Sequence, residues 1–366
     1  MKRIFIIFLL ILLLPINAFA EESISPDDVA GMEEAKNIIN GEDNKIFFED
    51  EITTETVSKL SFGKILSNIA NYAKSKINEP ARLFASLVGI SVLCAVLNAI
   101  SDTAGSEISK TYKIIGLLCA ATVLISTVGR AINEVSETIT LCGNFINAYV
   151  PVFSSVLAVG GNIATAGVYN VSLLAAANIF TQIGSNFCIP LMGCYLALSV
   201  VSGINEDLHL DGLASTAKTI AVWALGLFST VFVGLLSIQG IVAKSADSVA
   251  LKTSKFALSS FVPIVGNALS EALSSVEGSI GVIKAGVGSF GIIAGVATIL
   301  PTLITAVLAK AAVEAARVVS EILGVGYIAS LYKSVGAVLT VLIAILLCVC
   351  LILLVATTVI LLICTG

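Results

Sequence analysis

The sequence predicts an all-α polytopic membrane protein, and three observations carry this prediction. Apolar residues make up 57% of the 366 residues, and charged residues make up only 12%. Because soluble domains carry about 25% charged residues, most of this chain cannot face water. Apolar runs recur after residue 80, near the roughly 20 residues that a helix needs to cross a bilayer. The net charge of −5 gives no reason to expect nucleic-acid binding.

The N-terminus has the three parts of an export signal: a basic start, an apolar stretch over residues 4–14 and a small-residue site at 18–20. Residues 1–20 are therefore predicted to be a signal peptide, with a retained anchor as the alternative. In both cases the acidic segment 21–80 begins outside the cytoplasm. Its apolar spacing over 54–76 predicts an amphipathic helix. The favoured interpretation is a solvated tether that contains this helix, and the alternative is a helix on the membrane surface or against a partner protein.

The rest of the chain divides by apolar runs and polar interruptions. A first transmembrane helix and its loop cover 81–111, and a C-terminal transmembrane region covers 319–366. Between them we place two membrane repeats, 112–204 and 218–318, separated by the polar loop 205–217. We expect seven to nine spans, because the interrupted apolar regions allow several threadings.

The mixed residues 131–147, which include Glu134 and Glu137, predict an interfacial helix after a span that ends near Arg130. Lys284 suits a loop or a snorkelling position.

A doubled phrase indicates the duplication. "YVPV" begins at Tyr149 and "FVPI" begins at Phe261, 112 residues later. The four prolines beyond residue 80 pair in the same way, Pro151 with Pro263 and Pro190 with Pro301. The separation between the two prolines is 39 residues inside the first repeat and 38 inside the second. Self-similarity at a fixed offset is typical of repeated structural units.

Charge counting predicts that the two repeats are inverted. Lysines at 110 and 113, and again at 244, 252 and 255, suit the cytoplasm, whereas the acidic 205–217 loop suits the outside. On this count the first helix of repeat one runs outward and that of repeat two runs inward. The predicted architecture is a permease-like bundle of two inverted repeats, as in many secondary transporters.

The prolines and one glycine pair are candidate helix breaks or re-entrant turns. A proline inside a helix removes a hydrogen bond and costs about 3 kcal/mol, and non-helical backbone at membrane depth needs protein or water around it. The alternative is a simple kink, and for Pro190 and Pro301 the first turn of a helix is the favoured interpretation. Gly160 and Gly161 interrupt an apolar run in the same way.

A charged stripe ends the second repeat: Lys310, Glu314, Arg317 and Glu321 are spaced 4, 3 and 4 residues apart. On a helix they share one face and form pairs four residues apart, Lys310 with Glu314 and Arg317 with Glu321. The stripe is either a cytoplasmic extension of its helix, which we favour, or a hydrophilic wall of a conduit.

Gly291 and Gly295 form a G-x-x-x-G pattern that permits close helix packing. The overlapping G-x-G-x-x-G that starts at Gly286 follows no predicted strand, so it does not indicate nucleotide binding. The chain has no P-loop and no H-E-x-x-H, and its eight cysteines suit packing in apolar runs. We therefore expect no enzyme, no catalytic residue, no cofactor and no metal.

The order of a leader, an acidic segment and a glycine-rich multi-pass region with the doubled phrases resembles the stage III sporulation protein AE family. The resemblance implies a multi-pass protein in the mother-cell membrane that faces the forespore. It also implies a channel or secretion-like complex, with ring-forming proteins and a separate secretion-type ATPase as partners. A stand-alone secondary transporter of a small solute and a non-conducting structural anchor are the alternatives.

Overall fold

A computed structural model describes residues 32–39, 62–104, 106–204, 211–261 and 266–365. The described residues form helices joined by short turns, with no strand among them, which confirms the all-α prediction. Six helices in this part of the chain are long and apolar enough to cross a membrane, fewer than the seven to nine expected. The predicted signal peptide lies outside the described residues.

Long helices dominate the chain. Two short helices come first, α1 (Met32–Ile39) and α2 (Phe62–Ser75). The candidate spans follow as α3 (Asn78–Ala104), α4 (Ser106–Val159), α5 (Ile163–Thr181), α6 (Ile189–Ile204), α7 (Asp211–Phe261), α8 (Gly266–Ile322) and α9 (Gly326–Thr365). A π-helical segment, Gln182–Cys188, joins α5 and α6 into one continuous pass.

Consecutive passes are antiparallel, as the contacts between them show. A β-carbon on Gly143 of α4 would lie 3.3 Å from Thr181 at the end of α5, and one on Gly203 of α6 would lie 3.2 Å from Leu117 of α4. As the chain proceeds through α5 and α6, the residues that it contacts on α4 move back from Gly143 to Leu117, so the two passes run in opposite directions.

Helices α5 and α7 are antiparallel as well. Asp247 of α7 bonds to the start of α5 at Thr165, and Gln239 of α7 bonds to Ser172 further along α5. Since α4 and α7 each run opposite to α5, they run in the same direction. The described helices therefore do not show the predicted inverted relation, which pairs α4 with α7 in opposite directions. The cause is the mixed stretch 131–147, which continues α4 instead of forming a separate interfacial helix.

Helix α9 occupies the centre of the bundle. It packs against α4, α5, α6, α7 and α8, and it is the most buried of the six candidate spans. Its sequence is apolar on every side, which is typical of a helix surrounded by other helices. The C-terminal run thus forms the core around which the earlier hairpins assemble.

A buried hydroxyl cluster fastens α3 to α8 and α9. The Ser91 hydroxyl lies 2.8 Å from that of Ser320, and the Tyr332 hydroxyl donates to the Leu87 carbonyl oxygen at 2.9 Å. Ser91, Ser320 and Tyr332 are all fully or almost fully buried. Buried polar groups of this kind are stable only when they are hydrogen-bonded, so the cluster fixes where α3 docks.

Candidate functional site

The break between α4 and α5 is held by two buried charges from the second repeat. Gly161 takes a φ of +79°, a conformation that favours glycine, within the turn Gly160–Asn162. The Lys284 ammonium of α8 donates to the Gly160 carbonyl at 3.1 Å. Asp247 of α7 accepts the backbone N–H groups of Ala164 at 2.8 Å and of Thr165 at 2.9 Å. Exposure is only 6% for Lys284 and 7% for Asp247.

The contacts of Lys284 and Asp247 with this turn, called the clasp below, provide hydrogen-bond partners for the end of α4 and the start of α5. A helix leaves its last carbonyls and its first N–H groups without intrahelical partners, and the macrodipole favours a cation at the C-terminus and an anion at the N-terminus. Lys284 and Asp247 supply those charges from neighbouring helices. Sequence reasoning assigned Lys284 to a loop or a snorkelling position, and no local pattern marked Asp247 as its counterpart.

The predicted proline breaks fall differently. Pro151 lies inside α4 and Pro301 lies inside α8, so both helices continue through their prolines. Pro190 is the second residue of α6, immediately after the π-helical segment, where the first-turn interpretation places it. Pro263 lies outside the described residues. Of the candidate breaks, Gly160 and Gly161 are the ones found between described helices.

A polar cavity of about 560 Å³ lies between the start of α3, the middle of α4 and the middle of α8. Pro301, one of the predicted site residues, lines this cavity. The other polar lining side chains are those of Tyr72, Lys76, Glu79, Thr127, Arg130, Glu134, Glu137, Thr138, Thr298, Thr302 and Thr305. A volume of this size is in the range of small-molecule sites.

Hydroxyls and charges of both signs face each other across the cavity. The hydroxyls of Thr138 and Thr302 lie 2.7 Å apart and join α4 to α8. At the mouth, Arg130 Nη1 lies 4.0 Å from Glu79 Oε2, with both side chains mostly exposed. This ion pair is long and exposed to solvent, so it does not close the cavity.

The charged stripe follows the cavity along α8. The Arg317 guanidinium donates to Glu314 at 2.8 Å. It also pairs with Glu321, which is the pair that the sequence predicted. Glu314 therefore pairs with Arg317 here, where the sequence suggested Lys310. Ala309 lines the cavity immediately before Lys310, but Lys310 is turned about 100° round the helix from it, so the stripe lies on a different face of α8 from the cavity-lining residues.

The two packing glycines lie at close helix contacts. A β-carbon on Gly291 would overlap the ring of Tyr149, and one on Gly295 would overlap Leu353 of α9. Tyr149 belongs to the "YVPV" phrase, is fully buried and donates its hydroxyl to the Val287 carbonyl at 3.1 Å. The phrase therefore holds α4 against α8 through its tyrosine, a role that the attention to its proline missed.

Sequence reasoning also missed most of the cavity. Glu134 and Glu137 were assigned to an interfacial helix, and the threonines of α8 carried no signal in an apolar run. The 302, 305 and 309 spacing, which gives one face of a helix, could have pointed to them.

Comparison with known proteins gives one family. A family model described as stage III sporulation protein AE matches residues 45–364. A curated protein named stage III sporulation protein AE, from Bacillus subtilis (strain 168), is 27% identical over 228 residues, covering 62% of this chain. The match spans 57% of that relative's length. No solved structure matches the chain.

Proposed function

Because the chain belongs to the stage III sporulation protein AE family, we propose that this sporulation membrane protein is a component of a channel or secretion-like complex between mother cell and forespore. It lies in the mother-cell membrane that faces the forespore, with residues 21–80 in the space between the two membranes. Ring-forming proteins and a separate secretion-type ATPase are its partners. It contributes a hydrophilic path and catalyses no reaction.

The polar cavity beside α8 is the observation that carries this proposal. Thr298, Thr302 and Thr305 of α8 line it, together with Glu134 and Glu137 of α4. Charged side chains within candidate spans are costly to expose to lipid, so they face water, a cavity or a partner. Polar side chains from two neighbouring helices around one cavity suit a wall of a conduit better than an isolated ion pair.

Variants of the cavity separate a conduit from an anchor. Thr302→Val removes a cavity hydroxyl and keeps the shape of the side chain, and Glu134→Gln removes a charge. Thr230→Val, on the exposed face of α7, is the matched control. We expect both cavity variants to lower forespore-directed transport in sporulating cells while the protein still co-purifies with its complex. Normal transport in both would leave the anchor as the better account.

The cavity also favours one alternative, a stand-alone transporter of a small polar solute. Its volume and its charges of both signs would suit such a ligand. Co-purification distinguishes the two functions, because a component of the proposed complex is recovered with a secretion-type ATPase and a ring-forming protein. Recovery of an active transporter without either of them would favour the alternative.

Reporter fusions test the orientation of the passes. We expect fusions after residues 105 and 210 to report the same side of the membrane, because the two antiparallel passes of α4 and α5–α6 lie between them in the chain. The turn at 160–162 lies on the opposite side, together with the segment before α3. A result with 105 and 210 on opposite sides would contradict this arrangement and restore the inverted topology.

A further inference from the structure

Helix α4 turns a polar face outward along its most apolar half. Residues 138–158 contain no charged residue, and the structure describes all of them. The aliphatic and aromatic side chains of this stretch are buried or half-buried. The exposed residues are polar or proline: Thr140, Asn144, Asn147, Pro151 and Ser155. Their spacing of three or four residues puts them on one side of the helix.

The adjoining pass carries a second set of exposed carboxamides: Asn178, Gln182 and Asn186. Asn186 Nδ2 donates to Gln182 Oε1 at 2.6 Å. These three residues, together with Thr140, Asn144, Asn147 and Ser155, are called the amide face below. The π-helical segment contributes Gln182 and Asn186, and such segments are often found at functional sites.

The two sets lie on the same side of the hairpin. Gly143 of α4 and Thr181 of α5 are in contact, and Asn144 and Gln182 each follow by one residue, or about 100° of rotation. Because the helices run in opposite directions, these rotations bring both side chains to the same side. The contact also places the two sets at the same level along the bundle.

The exposed surface of α7 at the same level differs from the amide face, because it is aliphatic. The contacts of α5 with Asp247 and Gln239 place Val231 and Leu235 of α7 near the level of the amide face. Both side chains are exposed and aliphatic, as acyl chains favour. Carboxamides in hydrocarbon lose their hydrogen bonds to water and gain none. In addition, Pro151 has no N–H, so the Asn147 carbonyl lacks its usual helical donor. The amide face is therefore not built for lipid.

We propose that the amide face is the interface between two copies of this chain, a role that is independent of the proposed conduit. Carboxamides donate and accept, so a row of them is complementary to itself, and the lack of charge selects no charged partner. If a two-fold axis along the membrane normal relates the two copies, equivalent residues lie at the same depth in the membrane. Asn144 and Asn147 of one copy then meet Asn178 and Gln182 of the other at the same level.

Small residues allow the two copies to approach closely. Gly167 and Ala175 are exposed on α5 on either side of the exposed Val171, and no atom lies within 4 Å of a β-carbon built on Gly167. Close backbone approach and interhelical hydrogen bonds are what drive association in membranes. Helix α4 of one copy therefore packs beside α5 of the other.

Photo-crosslinking in the full-length protein tests the interface. Two differently tagged copies are co-expressed with benzoylphenylalanine in place of Asn144 or Gln182. Val231 and Leu235, near the same depth on α7, are the matched control positions. We expect a covalent dimer that carries both tags from the first pair of positions and none from the controls. An adduct with a different protein, or no dimer from Asn144 and Gln182, would overturn the proposal.

A second measurement uses the double variant Asn147→Leu, Gln182→Leu. Loss of the hydrogen bonds across the interface should lower the co-purification of the two tags by about tenfold or more. Unchanged thermal unfolding of the variant shows that the fold is intact, and undiminished co-purification in that protein would overturn the proposal. So would labelling of Asn144→Cys by a membrane-impermeant maleimide in the assembled protein, with the exposed Cys119 and Cys194 replaced by Ser, because the face would then line water.

Discussion

Asp247 supplies acceptors that α5 lacks at its own N-terminus, and Asp247→Ala is the sharpest test of the clasp. Oδ1 accepts the Ala164 N–H at 2.8 Å, and Oδ2 accepts the Thr165 N–H at 2.9 Å. The residue in the N-cap position, Asn162, makes no side-chain capping bond. Both N–H groups belong to the first turn of the helix, where no intrahelical carbonyl can reach them.

The magnitude follows from these two bonds. A hydrogen bond to a charged group contributes about 1.5–3 kcal/mol. Asp247→Ala removes two such bonds, so we expect it to destabilise the start of α5 by about 3–6 kcal/mol. Asp247→Asn keeps one acceptor oxygen and loses the charge, so about half of that loss is expected.

Hydrogen exchange measures this loss where it occurs. An opening free energy lowered by about 1.4 kcal/mol speeds exchange about tenfold, so Asp247→Ala should speed exchange at Ala164 and Thr165 by about 10²- to 10⁴-fold. Ser245→Ala is the matched control, because this exposed hydroxyl bonds only the Ile241 carbonyl of its own helix. Wild-type exchange rates at the start of α5 in Asp247→Ala would refute the clasp.

Other contacts give further predictions, each measured by denaturation of the purified protein in detergent. Gly291→Ala drives a methyl group into the Tyr149 ring and should destabilise the fold by about 1–3 kcal/mol. Gly234→Ala meets no atom within 4 Å and should be neutral or slightly stabilising, so an equal loss in both would refute the packing argument. Tyr332→Phe removes this donor, but the Ser91 hydroxyl still donates to the Leu87 carbonyl, so the loss should be about 0.5–1.5 kcal/mol. An unchanged stability would show that the hydroxyl cluster does not fasten α3.

The sequence carried the fold class but not the direction of the repeats. Apolar runs and low charge predict a helical membrane protein, because those properties depend on composition alone. The direction of a helix depends on whether an even or an odd number of passes precedes it. One misassigned segment therefore reverses the predicted direction of every later helix. The charges at 130–137 suggested a helix end, but the structure uses them as cavity walls within α4. A local charge count cannot distinguish these two uses.

Tertiary contacts explain the residues that pattern reasoning missed. Asp247 and Lys284 satisfy helix ends that are distant in sequence by more than 80 residues, so no capping pattern near Gly160 marks them. Pro151 was overvalued for the opposite reason. A proline removes one hydrogen bond from a long helix, and α4 continues because packing on both sides of the proline holds it.

The contrast between α4 and α7 shows why hydropathy could not identify the amide face. Both helices are apolar at the same level, and both satisfy the length and composition of a span. They differ in which residues point outward: aliphatic ones such as Leu235 on α7, and carboxamides such as Asn147 on α4. Hydropathy averages over the whole circumference of a helix, whereas the surrounding solvent acts on one face. The outward polarity of α4 therefore requires water or protein beside it, and its uncharged, self-complementary chemistry favours another copy of the chain.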